Sequence, residues 1–178
     1  MKIKTKKAQI WVETAIYTLI GLSIIGIILA IATPAINNKK DEAIIEQTIT
    51  ALNALDKKML ETRETTSNIR NIEFRVKRGK LVINSTENNI MYILEESKLE
   101  YSEPGVEVEY GKIIILTEKI GKKYNINLIL PYENLNIIYK GEEKEKTLNP
   151  AATPYKLSLE NKGQDDNEKI IIDINEFS

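Results

Sequence analysis

Hydrophobic and polar positions alternate in three different ways along the chain. From Thr14 to Ile36 the sequence TAIYTLIGLSIIGIILAIATPAI runs for 23 residues without a charge. That is enough for a helix crossing a hydrocarbon layer of about 30 Å, and uncharged core helices of soluble proteins rarely run so long. From Asp41 to Arg63 the apolar residues Ile45, Ile49, Leu52, Leu55 and Met59 recur at spacings of four, three, three and four. This is one face of an amphipathic helix, predicted to pack on the protein's own C-terminal part. Asp41 and Glu42 stand at the predicted start of this stripe, and Lys57, Lys58 and Arg63 near its end, the polarity a helix dipole favours.

After the polar break Glu64–Asn68 the period becomes two, the signature of half-buried strands. Ile72, Phe74 and Val76 alternate with Glu73, Arg75 and Lys77, and a turn at Arg78–Gly79 leads to Leu81 and Ile83, predicting a hairpin. A second hairpin is predicted from Val106, Val108 and Tyr110 through Gly111 to Ile113 and Ile115. Further strands are expected at 91–94, 124–130, 135–139, 155–159 and 170–174. Residues 142–146 (Glu-Glu-Lys-Glu-Lys) read as a solvated turn, 149–154 as a loop or edge, and 161–167 as a mobile polar turn. The fold class is α+β: a long N-terminal membrane-spanning helix continues into an amphipathic spine and is followed by an antiparallel β-sheet or sandwich. Its segments are 1–8 (basic leader), 9–36 (hydrophobic helix), 37–66 (amphipathic helix) and 67–178 (β-rich domain).

Composition narrows the chemistry. The chain has no Cys and no His, which removes disulfides, thiolate nucleophiles, imidazole bases and structural zinc sites. No nucleophile motif or Gly-rich phosphate loop is present, so no catalytic residue, cofactor or metal ligand is expected. Glu95–Glu96 and Asp165–Asp166 match no calcium-loop spacing and read as solvated turn residues. A formal net charge of -1 gives no basis for nucleic-acid binding. Asn84-Ser85-Thr86 is an N-x-[ST] sequon, making Asn84 a candidate glycan acceptor if this part lies outside the cell.

Within the charge-free stretch, Ile16, Leu19, Ile24 and Ile28 belong to the membrane helix. Pro34 lacks an amide donor and either kinks this helix about one turn back or marks its end. Gly21, Gly26, Ser23, Ala30 and Ala32 permit close helix approach. Lys2, Lys4, Lys6 and Lys7 precede the span without an accompanying acid, predicting a cytoplasmic N-terminus. Ala30-Ile31-Ala32 offers an A-x-A signal-peptidase site. The apolar stretch nevertheless exceeds the usual h-region of about 7–15 residues, and Pro34 stands close behind the cut. Glu13 sits at the head of the span, where a carboxylate near hydrocarbon costs a few kcal/mol and marks a functional position.

The run Lys6-Lys7-Ala8-Gln9-Ile10-Trp11-Val12-Glu13 resembles the leader junction of archaeal type IV pilins with a class III signal peptide. The resemblance implies cleavage by a prepilin peptidase between Ala8 and Gln9, leaving Gln9 as the mature N-terminus and Glu13 as its fifth residue. Trp11 and Thr14 stand where the family usually has Ser and Phe, and Ala8 where Gly is commoner. The implied protein is a structural subunit of a surface filament serving adhesion, a single-pass membrane protein before assembly and extracellular after it. Its implied partners are copies of itself, the prepilin peptidase, and an assembly ATPase with its membrane platform. In that reading Glu13 pairs with the new α-amine of Gln9 on a neighbouring copy. A minor pseudopilin of a secretion machine would share this chemistry. The alternative is an uncut signal anchor carrying a β-rich binding ectodomain that does not polymerise.

Overall fold

A computed structural model describes the backbone of residues 4–177 and the side chains of residues 10–177. The chain is α+β. One helix, α1 (Lys4–Arg63), is followed by ten strands: β1 (Ile69–Phe74), β2 (Lys80–Asn84), β3 (Asn89–Ser97), β4 (Glu107–Tyr110), β5 (Ile113–Ile120), β6 (Lys123–Pro131), β7 (Leu135–Tyr139), β8 (Glu145–Leu148), β9 (Tyr155–Gln164) and β10 (Ile170–Phe177). The contacts divide the chain into two compact units, residues 1–40 and 41–178, so the amphipathic part of α1 belongs with the strands.

In the second unit the strands form two sheets, one of four in the order β1-β9-β10-β7 and one of six in the order β4-β5-β6-β3-β2-β8. All pairs are antiparallel except β7 with β10. Ile45, Ile49, Leu52, Leu55 and Met59 of α1 are buried in one cluster with Phe74, Leu157, Leu159 and Ile172 of the four-stranded sheet and Leu81, Ile90, Ile126 and Leu128 of the six-stranded one. The helical stripe and the strand alternation therefore meet in a single core, whose fully buried aliphatic side chains contribute about 1.5–3 kcal/mol each. Asn88, in the β2–β3 turn, ties the sheets together: its Oδ1 accepts the Ile137 N–H at 2.8 Å and its carbonyl accepts the Tyr132 N–H at 2.9 Å.

The Arg78–Gly79 turn does not close the predicted hairpin. β1 pairs with β9, whereas β2 pairs with β3 and β8 in the other sheet. The chain leaves one sheet for the other here, and the Val76 carbonyl accepts from Ala151 N–H at 3.0 Å instead of continuing a ladder. Gly79 has φ +71°, and a Cβ there would collide with the Ile93 carbonyl and sit 2.8 Å from the Tyr92 hydroxyl. The predicted β4–β5 hairpin is present, with Tyr110 opposite Ile113. The last two residues of the charge run 142–146 are strand rather than turn, because Glu145 and Lys146 in β8 pair with Asn84 and Ile83. The predicted turn at 161–167 is also displaced: β9 continues to Gln164, and Asn161 is buried.

Polar contacts bind α1 to its sheets at both ends and between them. At its C-terminus, Asn161 Nδ2 donates to the carbonyls of Thr62 (3.2 Å) and Arg63 (3.1 Å), and Asn68 Nδ2 donates to Glu61 O at 2.7 Å. These are carbonyls that a helix end leaves without intrahelical donors. Near residue 41 the arrangement corrects the sequence-based one. Asp41 lies inside a continuous helix, not at a helix start, and its side chain is buried, 5% exposed. It pairs with Arg78 and accepts the Ser97 hydroxyl at 2.7 Å, while the Tyr92 hydroxyl donates to the Arg78 carbonyl. Lys112, in the β4–β5 turn, adds an ion pair with Asp56 at 2.8 Å and lies 4.1 Å over the Tyr132 ring.

Two outcomes follow. Asn161→Ala leaves buried helix-end carbonyls without donors and should lower the unfolding free energy of the β-rich unit by about 1–3 kcal/mol, read by urea denaturation of the detergent-solubilised chain. Burial pushes the Tyr92 hydroxyl from its ordinary 10.0 up to about 12. Because the folded value is raised, its contribution is complete below pH 10 and disappears as pH rises towards 12. Tyr92→Phe should flatten the stability loss in that window while the wild type loses stability across it.

Candidate membrane and assembly segment

Unit 1 is the helical segment that carries the charge-free stretch. By length and composition α1 is long and apolar enough to cross a membrane, with a mean hydropathy of 2.5 in its most apolar window and none of that window buried in the protein. At about 100° per residue, the exposed side chains Ile16, Tyr17, Leu19, Leu22, Ile25 and Leu29 point in every direction around the axis. A helix apolar on all sides is a membrane span or the interior element of a larger assembly.

The Ser and Thr hydroxyls inside this stretch are paired within the helix. The hydroxyls of Thr14, Thr18, Ser23 and Thr33 each donate to the carbonyl four residues earlier, at 2.9, 2.8, 2.7 and 2.6 Å. Each removes a donor that hydrocarbon would leave unsatisfied. Pro34 lies inside the helix and does not end it; α1 runs on to Arg63. Gly21 and Gly26 have open space where a Cβ would stand, so nothing in the isolated chain requires glycine there.

Glu13 lies in α1 one residue before the charge-free run and is exposed, with apolar Ile10, Trp11, Val12 and Ile16 beside it. The backbone of Ala8 and Gln9 is helical, and their side chains lie outside the described residues, as does the start of the basic leader. Ile16, Leu19, Ile24 and Ile28 are all exposed at 51–67%.

The other candidates fall in the β-rich unit. Asn84 ends β2 with its Oδ1 accepting the Glu87 N–H at 3.1 Å; Ser85 is buried and donates to Lys144 O at 2.8 Å; Thr86 is exposed. The neighbouring carboxylates are held apart. Glu95 pairs with Lys80 and Glu96 with Lys123, each at 2.7 Å, and an extra residue between Leu94 and Ser97 kinks β3. Asp165 Oδ1 accepts the N–H groups of Asn167 and Lys169, both at 2.9 Å. Its carboxyl sits below the ordinary range because those bonds outweigh partial burial. Among the described residues no group of three or more acidic side chains is arranged to hold a metal ion. Asn161, Asp41 and strand β8 were not visible to sequence reasoning as structural elements. A polar residue on the inward phase of β9 was the one available signal for Asn161.

No protein family, curated protein or solved structure matches the chain.

Ile24→Arg places a charge near the middle of the span, at a cost of roughly 2.5–3.5 kcal/mol for insertion. The variant should move from the membrane fraction towards the soluble or degraded fractions, whereas Ile24→Leu should fractionate like the wild type.

Proposed function

We propose that the chain is the precursor of an archaeal type IV pilin-like filament subunit, built for structure and attachment rather than catalysis. The observation that carries this reading is the segment from Ile10 to Ile36. It is apolar on every side, its Ser and Thr hydroxyls are paired internally, and it carries one carboxylate, Glu13, at its head. Such a segment suits two surroundings in turn, lipid before assembly and sister helices afterwards. The basic leader before Ala8 orients insertion, and cutting between Ala8 and Gln9 removes those lysines while the apolar helix stays attached.

In the polymer, Glu13 is paired with the α-amine that cleavage creates on Gln9 of a neighbour. A buried ion pair fixes register, and removing one member costs about 3–5 kcal/mol. The working partners are further copies of the chain, a prepilin peptidase, and an assembly ATPase with its membrane platform. The β-rich unit is the part displayed outside the cell, with Asn84 as a candidate glycan acceptor. An uncut signal anchor bearing the same ectodomain is the competing arrangement, since it needs only the apolar helix.

The mature N-terminus separates the two. Mass spectrometry of the surface-exposed protein should give Gln9; retention of Met1 on every copy supports the anchor and removes the polymer. Glu13→Gln should insert into the membrane as the wild type does, yet yield few or no filaments by electron microscopy. Filaments of normal abundance and symmetry from that variant would refute the pairing.

A further inference from the structure

Each sheet of the β-rich unit has an open edge strand, one lined by acids and the other followed by a basic segment. β4 closes one side of the six-stranded sheet and β1 one side of the four-stranded sheet, and each pairs on a single side only. Residues 100–110, leading into and through β4, contain four glutamates and no cation. Of these, Glu103, Glu107 and Glu109 are exposed and make no ion pair among the described residues, while Glu100 accepts the Tyr124 hydroxyl at 2.6 Å. Residues 69–78, containing β1, carry Arg70, Arg75, Lys77 and Arg78 against the single acid Glu73. Arg78 is committed to Asp41 and Arg70 lies near Glu61, leaving Arg75 and Lys77 exposed just past the end of β1, the latter 3.4 Å from Gln47, with Glu73 exposed inside the strand.

The apolar surface follows the same division. Val106, Val108 and Tyr110 are 44%, 42% and 59% exposed. They share the phase of Ile113 and Ile115, which point into the core, so β4 extends a core-facing surface past the point where the protein covers it. Beside β1 runs a groove of about 250 Å³, lined among others by Ile44, Thr48, Ala51 and Tyr92, with Arg75 and Lys77 on its wall. An open edge with exposed apolar side chains pairs with another chain unless something blocks it. The acids on β4 oppose self-pairing of two β4 edges and favour a cationic partner edge.

We propose that the acidic β4 edge of one copy docks along the open β1 edge of a second copy, with its glutamates against Arg75 and Lys77 in the segment that follows β1. The two surfaces differ, so the contact is heterologous and propagates from copy to copy instead of closing into a two-fold dimer. It is carried by residues separate from the apolar helix, and it operates between membrane-anchored chains as well as within a filament.

The absence of cysteine makes the test direct. Two full-length chains, one with Val108→Cys and one with Asn71→Cys, are produced in the same cells and treated with a short bifunctional thiol cross-linker. The expected main product joins the two different chains. Its yield should drop when the Asn71→Cys chain also carries Arg75→Glu and Lys77→Glu. It should recover when the Val108→Cys chain then carries Glu107→Lys and Glu109→Lys. A chain with Asp166→Cys, in the β9–β10 turn, should link to neither. The proposal is overturned by same-chain products dominating, by equal linking of the Asp166→Cys control, or by the charge reversals leaving the yield unchanged or unrecovered. Because anchored chains that never polymerise still give the mixed product, its failure is distinct from failure of the pilin reading.

Discussion

An apolar helix surface has to be covered, and α1 presents two such surfaces of different shape. From Ile45 to Met59 the surface is a stripe, and the protein covers it with its own sheets, leaving these side chains at 0–6% exposure. From Ile10 to Ile36 the surface encircles the axis, and among the described residues none of its most apolar window is buried. Hydrophobic coverage scales with area at about 25 cal/mol per Å², so leaving the second surface in water is costly. The stripe decides where the strands gather, and the encircling surface makes this helix long and apolar enough to cross a membrane.

Polar contacts then set the placement that the apolar core leaves free. A hydrophobic stripe tolerates sliding by one turn, since i and i+4 positions present similar faces. Asp41 at one end of the packed stretch and the Asn161–Asn68 cap at the other remove that freedom. Each satisfies groups that would be expensive if buried alone: the Asp41 carboxylate in the first case, the last helical carbonyls in the second. The Lys112–Asp56 pair, between them, is partly exposed and contributes less.

Much of the fold was legible because periodicity reports burial. Phe74, Val76, Leu81 and Ile83 all alternate correctly and are all buried. Periodicity does not report partnership, however, and the short Arg78–Gly79 connection looked like a hairpin turn while in fact carrying the chain between sheets. Strand β8 was hidden because an edge strand keeps solvent-facing charges such as Glu145, which read as a turn. Asn161 was hidden because a side chain that caps a helix nearly a hundred residues earlier leaves no local trace. Asp41 was placed on the correct helix but assigned to the dipole, since its partners Arg78 and Ser97 lie 37 and 56 residues further on and leave no local trace. In the N-terminal segment the span, Glu13 and the internally paired hydroxyl positions were all visible as residues; only the pairing needed coordinates.

That internal pairing bears on how the segment changes surroundings. Thr14, Thr18, Ser23 and Thr33 take their acceptors with them wherever the helix goes. In the proposed passage from lipid to sister helices, none of these four contacts would have to break. What would then distinguish the two phases for this segment is close-range steric fit together with the fate of a single carboxylate.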